Sequence, residues 1–109
     1  MRFLLKVSIP TETGNERILD GSLGNTIESI LHDLKPEAAY FSEDRGLRTG
    51  FIFCNIKDES EIPGVAEPWF LAFGAHIELH AAMTLSDLKK ATSGFERAIK
   101  KYRPTMKAA

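Results

Sequence analysis

The chain has 109 residues, of which 14 are Lys or Arg, 15 are Asp or Glu, and one is Cys. This length predicts one domain over residues 1–109, and the formal net charge of −1 gives no overall electrostatic attraction to nucleic acid. One Cys excludes an internal disulfide, and without a long apolar run or a signal-like start we expect a cytoplasmic protein with no membrane partner.

The first part of the chain predicts a strand followed by a helix. Apolar and polar residues alternate over Arg2–Ile9, which is typical of a half-buried strand. Thr13 and Glu16 have the spacing of a capping box, which predicts that a helix begins there. Its apolar positions repeat at helical spacing as far as Leu34, and two glycines in its middle allow a break near residues 20–22.

The middle of the chain predicts a β-hairpin. Residues 38–43 and 47–56 have strand-like sequences, and the short link between them, residues 44–46, contains a glycine. Alternation divides the second strand into two sets of side chains. We assign one set to the core because Ile and Cys are commonly buried, and that set is Ile52, Cys54 and Ile56.

Two further helices and a strand are predicted in the C-terminal half. Residues 58–74 have a helical apolar face, although Pro68 would disturb a helix interior. Residues 76–82 alternate as a fourth strand. Thr84 and Asp87 form a second capping-box pattern, which predicts that a last helix begins there.

The element order predicts an α+β fold. The order β-α-β-β-α-β is that of the ferredoxin-like arrangement, an antiparallel sheet with helices on one face. We assign the core of the domain to residues 1–92, with a C-terminal helix and basic tail over residues 84–109. Helices on one face leave the other face of the sheet uncovered.

Alternation along the strands predicts which side chains lie on that uncovered face. It would combine aromatic bulk with ionisable groups, and it would carry Leu4, Lys6, Tyr40, Phe51, Phe53, His76, Glu78 and His80. An exposed patch of this kind is typical of a partner surface or a ligand site. Two copies packed sheet to sheet would bury the aromatic side chains and enclose the charges in a cavity suited to a small molecule. We therefore expect a homodimer with a small-molecule ligand.

The sequence also resembles a known superfamily. Residues 67–73, Glu-Pro-Trp-Phe-Leu-Ala-Phe, lead into His-Ile-Glu-Leu-His at residues 76–80, and with the strand order they resemble the dimeric α+β barrels over about residues 1–92. That superfamily includes stress-responsive barrel proteins, EthD-like proteins, muconolactone isomerase-like proteins and small cofactor-free monooxygenases. The resemblance implies sheet-to-sheet dimers. The chain is also similar to short bacterial proteins labelled pantothenate synthetase, but it has no Gly-rich loop for the nucleotide that such a ligase needs.

Side chains of the fourth strand could carry acid–base chemistry. His80 is the candidate base, Glu78 would orient it, and Tyr40 or Lys6 would polarise a substrate oxygen. The aromatic and apolar neighbours, together with the remaining strand histidine, would contact the ligand: Leu4, Phe51, Phe53 and His76. The structural alternative is an ordinary cross-strand ion pair between Glu78 and Lys6, with Tyr40 in a dimer interface.

Metal, cofactor and nucleic-acid functions are not favoured. The Cα atoms of His76 and His80 would lie about 13 Å apart on one strand, too far to share an ion, and we expect no cofactor. Residues 48–53 faintly resemble an RNA-recognition motif, but Glu78 on the same face and the net charge make nucleic acid unlikely as a partner. The remaining alternative to an enzyme is a non-catalytic binding or assembly module that uses the same face.

Overall fold

The computed structural model describes the backbone of residues 1–108 and the side chains of residues 1–103. It confirms the α+β class, with a four-stranded antiparallel sheet and helices between and after the strands. In chain order the elements are β1 (Arg2–Ile9), α1 (Thr11–Leu19), α2 (Leu23–Leu34), β2 (Ala38–Asp44), β3 (Leu47–Asn55), a 3-10 turn (Glu59–Glu61), α3 (Ile62–Phe73), β4 (His76–Ala81), α4 (Leu85–Lys90) and α5 (Thr92–Ala108). Within the described residues, no helix has the length and apolar character needed to cross a membrane.

The sheet has the strand order β2-β3-β1-β4, with β1 between β3 and β4. Leu5 lies opposite Ile52 on β3 and opposite Leu79 on β4, and all three neighbouring pairs of strands are antiparallel. Strands β2 and β4 are therefore the two edges of the sheet.

The hydrophobic core lies between one face of the sheet and helices α2 and α3. Leu5 and Ile52 are fully buried on the sheet side, and Trp69 and Phe73 of α3 are 1% exposed on the helix side. The rings of Trp69 and Phe73 stack with their centroids 6.3 Å apart. The predicted burial of Ile52, Cys54 and Ile56 is confirmed.

The first helical segment is divided in two, as the glycines allow. Gly21 has a φ of 77°, and the Asp20 side chain accepts a hydrogen bond from the Ser22 backbone N–H in the break between α1 and α2. The predicted capping box at Thr13 is wrong, because α1 already begins at Thr11, directly after Pro10. Pro10 ends β1, and α1 follows it directly with no side-chain hydrogen bond that caps its first turn.

The hairpin is tighter than predicted. Strand β2 continues through Asp44, which pairs with Leu47, so the loop contains only Arg45 and Gly46. Their φ values are 54° and 79°, and two consecutive positive φ angles are those of a type I′ turn, which matches the twist of a hairpin. Asp44 is therefore a strand residue and not a loop residue.

Helix α3 contains both prolines of its segment. Pro63 lies in its first turn, as predicted, and Gly74 ends it in a left-handed conformation with a φ of 58°. Contrary to expectation, Pro68 does not interrupt the helix. The helix continues through Pro68 with one hydrogen bond fewer, since the N–H that proline lacks would have bonded to the Gly64 carbonyl in the first turn.

The last helix is also divided. The predicted capping box is confirmed, since the Thr84 hydroxyl accepts from the Asp87 N–H and the Asp87 carboxylate accepts from the Thr84 N–H. Helix α4 then ends at Lys90, and after Ala91 the helix α5 begins at Thr92 instead of continuing the same helix. Phe95 and Ile99 of α5 are half exposed, so its apolar stripe is not part of the core.

Candidate functional site

The face of the sheet opposite the core is here called the open face. The strand register brings all eight sequence-predicted site residues to this face: Leu4, Lys6, Tyr40, Phe51, Phe53, His76, Glu78 and His80. Tyr40, on an edge strand, is 66% exposed. The roles of these residues remain predictions, but their common location is a property of the fold.

The open face is organised in rows that cross the strands. In the central row, Tyr40 lies opposite Phe51, Phe51 opposite Lys6, and Lys6 opposite Glu78. In the next row, Phe53 lies opposite Leu4, and Leu4 opposite His80. Aromatic bulk is thus concentrated toward β2 and β3, and ionisable groups are concentrated toward β1 and β4.

Lys6 lies between two carboxylates. Its ammonium forms an ion pair with Asp44, and its Nζ is 3.6 Å from Oε2 of Glu78. The hydrogen bond with Asp44 is the main reason why the pKa of Lys6 is raised, and the same contact lowers the pKa of Asp44. The cross-strand pair of Lys6 and Glu78 that was considered as the structural alternative is therefore present.

His80 and Glu78 also interact. Nε2 of His80 is 3.1 Å from Oε1 of Glu78, although both side chains are more than half exposed. The hydrogen bond from His80, followed by the charge of Lys6, lowers the pKa of Glu78, so this group remains a carboxylate at neutral pH. In neutral His80 the Nε2–H donates to Glu78, which leaves Nδ1 as the nitrogen that can accept a proton.

Tyr40 and His80 are not brought together within one chain. They lie on the two edge strands, three strand spacings apart, which corresponds to about 14 Å. Both cannot contact the same substrate atom from a single sheet. Of the two residues predicted to polarise a substrate oxygen, Lys6 is the one that neighbours the Glu78–His80 pair.

A cavity of about 240 Å³ opens on this face next to the charged residues, and its lining is Lys6, Ser8, Asp44, Arg45, Leu47, His76 and Glu78. Four of these residues, Ser8, Asp44, Arg45 and Leu47, were not among the site residues predicted from the sequence. The signal that could have identified Asp44 is its position four residues after Tyr40, which places both on the same face once β2 is extended. Arg45 occupies a turn, and its location depends on the type I′ geometry.

Other reactive side chains do not contribute to the open face. Cys54 is buried on the core side, and burial raises the pKa of its thiol, which disfavours the thiolate that a nucleophile needs. Among the described residues, no group of three or more His, Cys, Asp or Glu side chains has the arrangement of a metal site.

Comparisons with known proteins do not narrow the range of possible functions. No protein-family model matches the sequence, and no curated protein is significantly similar to it. The function is therefore argued from the geometry of the open face.

The ion pair between Lys6 and Asp44 predicts a measurable change in titration. In Lys6→Met, the pKa of Asp44 should rise toward its ordinary value, because the main cause of its lowering is removed. Carboxyl-carbon NMR titration of both proteins measures this shift. Arg45→Met is the matched control and should change the pKa of Asp44 much less, because Arg45 acts only through a weaker charge interaction.

The same ion pair predicts the direction of the pH dependence of stability. The Asp44 carboxyl has a lower pKa in the folded protein than in the unfolded chain. The contribution of this carboxyl group to the stability of the fold is therefore fully present above the ordinary pKa of aspartate. It is lost as the pH falls through the lowered pKa of the folded protein. Lys6→Met should weaken this acid-side loss of stability, and an unchanged Asp44 titration would contradict the ion pair.

Proposed function

We propose that the protein is a small-molecule-binding homodimer in which two ferredoxin-like sheets pack open face to open face, as in a dimeric α+β barrel. The strand order β2-β3-β1-β4, with helical connections between β1 and β2 and between β3 and β4, supports this arrangement. The apolar side chains Leu4, Phe51 and Phe53 of the open face are only partly buried within the described chain. A second sheet would bury them.

The observation that carries the proposal is the combination of groups on the open face. Phe51, Phe53 and Leu4 provide apolar surface, and the linked groups Lys6, Glu78 and His80 lie directly beside them. An enclosed space that is mostly apolar with a few convergent polar groups is typical of small-molecule sites. The ligand class that fits is a small, partly apolar molecule with an oxygen that can accept a hydrogen bond.

The chemistry that this arrangement supports best is proton transfer without a cofactor. Nδ1 of His80 would take a proton from a carbon next to a carbonyl group, and the electron pair of the broken C–H bond would move onto the carbonyl oxygen. The charge of Lys6 would stabilise the oxygen anion. Return of the proton from His80 to a different carbon completes an isomerisation, while Glu78 holds the imidazole in one tautomer and stabilises its charged form.

A non-catalytic binding module is the second candidate, and one observation favours it. The His80 and Glu78 side chains are 56% and 55% exposed in the single chain, which is more solvent contact than is typical of a tuned catalytic pair. In this alternative, the same face and the same dimer bind a ligand that is not transformed.

A probe of general-base catalysis separates the two candidates. We expect the protein to accelerate the ring opening of 5-nitrobenzisoxazole, a flat apolar molecule, in which a base removes the ring C–H proton, a nitrile forms and the N–O bond breaks to release a phenolate. His80→Gln should lower kcat/KM by about a hundredfold, within the range for loss of a general base. The absorbance of the phenolate measures the reaction.

His32→Gln is the matched control for that experiment. His32 lies on α2 and not on the sheet, its side chain is 84% exposed, and its Nδ1 is 3.7 Å from a carboxylate oxygen of Asp33, so the variant tests whether an exposed histidine beside a carboxylate is sufficient for the reaction. It should retain most of the activity. Equal rates for His80→Gln and the unmodified dimer would contradict the role of His80 as the base and would leave the binding module as the better description.

A further inference from the structure

A second cavity lies on the opposite side of the sheet from the open face. It has a volume of about 330 Å³ and is located between the start of α2 and the β2–β3 hairpin, above the indole of Trp69. Leu23 and Ile27 line it from the helix, and Phe41 lines it from the edge strand. This volume is within the range of cavities that bind small molecules. None of the predicted site residues lines it, so it requires an explanation of its own.

Trp69 lines this cavity and carries an unused hydrogen-bond donor. Its side chain is 1% exposed, and its Nε1–H has no acceptor among the described side chains and backbone. Buried donors are almost always paired, because leaving one unpaired costs about 1–3 kcal/mol. The nitrogen itself has almost no exposed surface, so a ligand oxygen would satisfy the indole N–H only after a small shift of the groups that cover it.

Arg48 brings to the same cavity a guanidinium that forms no salt bridge within the described residues, although Glu43 lies opposite it on β2. Its guanidinium donates to the Asn15 side chain at 3.1 Å, and no carboxylate among residues 1–103 lies within 4.0 Å of it. It packs against α1 at Gly14, where a Cβ atom would come within 2.5 Å of Nη1. The absence of a side chain at position 14 thus makes room for the guanidinium, which keeps further N–H groups free for an anion.

We infer that this cavity binds a small carboxylic acid with an apolar body and a second oxygen acceptor, such as an aromatic keto acid. The carboxylate would pair with Arg48, the apolar body would lie against Leu23, Ile27 and Phe41, and the keto oxygen would accept the Trp69 N–H. Three different features of the cavity, its apolar walls, the Arg48 guanidinium and the unpaired indole donor, match the three parts of such a molecule.

Titration with 4-oxo-4-phenylbutanoate tests this inference. The chain has one Trp, so its single indole N–H signal in an NMR spectrum reports on this cavity alone. We expect a saturable shift of that signal. The methyl ester, which lacks the charge, and the Arg48→Met variant with the acid should each bind about tenfold more weakly, consistent with the loss of one charge-assisted hydrogen bond. The analogue 4-phenylbutanoate, which lacks the ketone, should bind more weakly and leave the indole signal less shifted.

Arg45→Met is the matched control, because Arg45 belongs to the same hairpin but lines the cavity of the open face. Its affinity for the keto acid should equal that of the unmodified chain. Equal binding of the acid and its ester, or weaker binding by Arg45→Met, would overturn the inference. An indole signal that changes when the protein is diluted, but not when the acid is added, would also overturn the inference. Such a result would mean that a segment of a second copy occupies the cavity. The site does not depend on the proposed dimer, and a monomeric variant should bind the acid equally well.

Discussion

The substitution Phe53→Asp is expected to separate the proposed dimer into folded monomers. Phe53 is half buried on the open face, opposite Leu4, and in the proposed dimer it would become fully buried against the second sheet. Replacing it removes apolar contact area and places an unpaired carboxylate in the interface. Together these effects should raise the Kd of the dimer at least about thirtyfold, since the few residues that dominate an interface contribute about 2 kcal/mol or more.

Sedimentation equilibrium of the variant measures this change, and circular dichroism checks that the fold is retained. Leu19→Asp is the matched control, because Leu19 is 87% exposed at the end of α1 and does not lie on the sheet. It should dimerise like the unmodified chain. If both variants dimerise with unchanged affinity, the open face is not the interface.

Trp69→Ala is expected to produce the largest loss of stability of any single truncation in the chain. Trp69 is the largest fully buried side chain, and it packs against Phe73 and the core side of the sheet. Truncation of a buried aromatic residue costs about 3–5 kcal/mol in the free energy of unfolding, which is a large part of the 5–15 kcal/mol typical of a domain. Urea unfolding followed by circular dichroism measures the loss.

Two variants on the same helix serve as comparisons. Leu71→Ala removes a side chain that is 83% exposed and should change the free energy of unfolding by no more than about 0.5 kcal/mol. Trp69→Phe keeps an aromatic ring and removes the unpaired N–H, so it should cost much less than Trp69→Ala. A loss below about 1 kcal/mol for Trp69→Ala would contradict the core as described.

The strands and the two faces of the sheet could be predicted well because they depend on local alternation. Arg2–Ile9 is bounded in the sequence as in the structure, and the assignment of Ile52 and Cys54 to the core follows from the same pattern. A shift of one residue would have exchanged the faces, so the burial of Leu5 and Val7 fixes the register of the whole sheet.

The contacts that depend on the tertiary structure could not be predicted in the same way. The ion pair of Lys6 and Asp44 joins residues on two strands that are not neighbours, and it requires the type I′ turn that extends β2. The start of α1 was predicted at the wrong residue, because the helix follows Pro10 directly and has no hydroxyl side chain as its cap. The cavity at Trp69 depends on how α2 sits over the hairpin, and hydrophobic periodicity contains no information about such gaps.

The central claim is that the open face is covered by the open face of a second copy, and intermolecular NOEs test it most directly. A sample that mixes carbon-13-labelled and unlabelled chains reports only contacts between copies. The account predicts intermolecular NOEs that connect Leu4, Phe51 and Phe53 of one copy with the same face of the other. A stable monomer at micromolar concentration, or a dimer whose intermolecular NOEs involve only residues outside the open face, would contradict it.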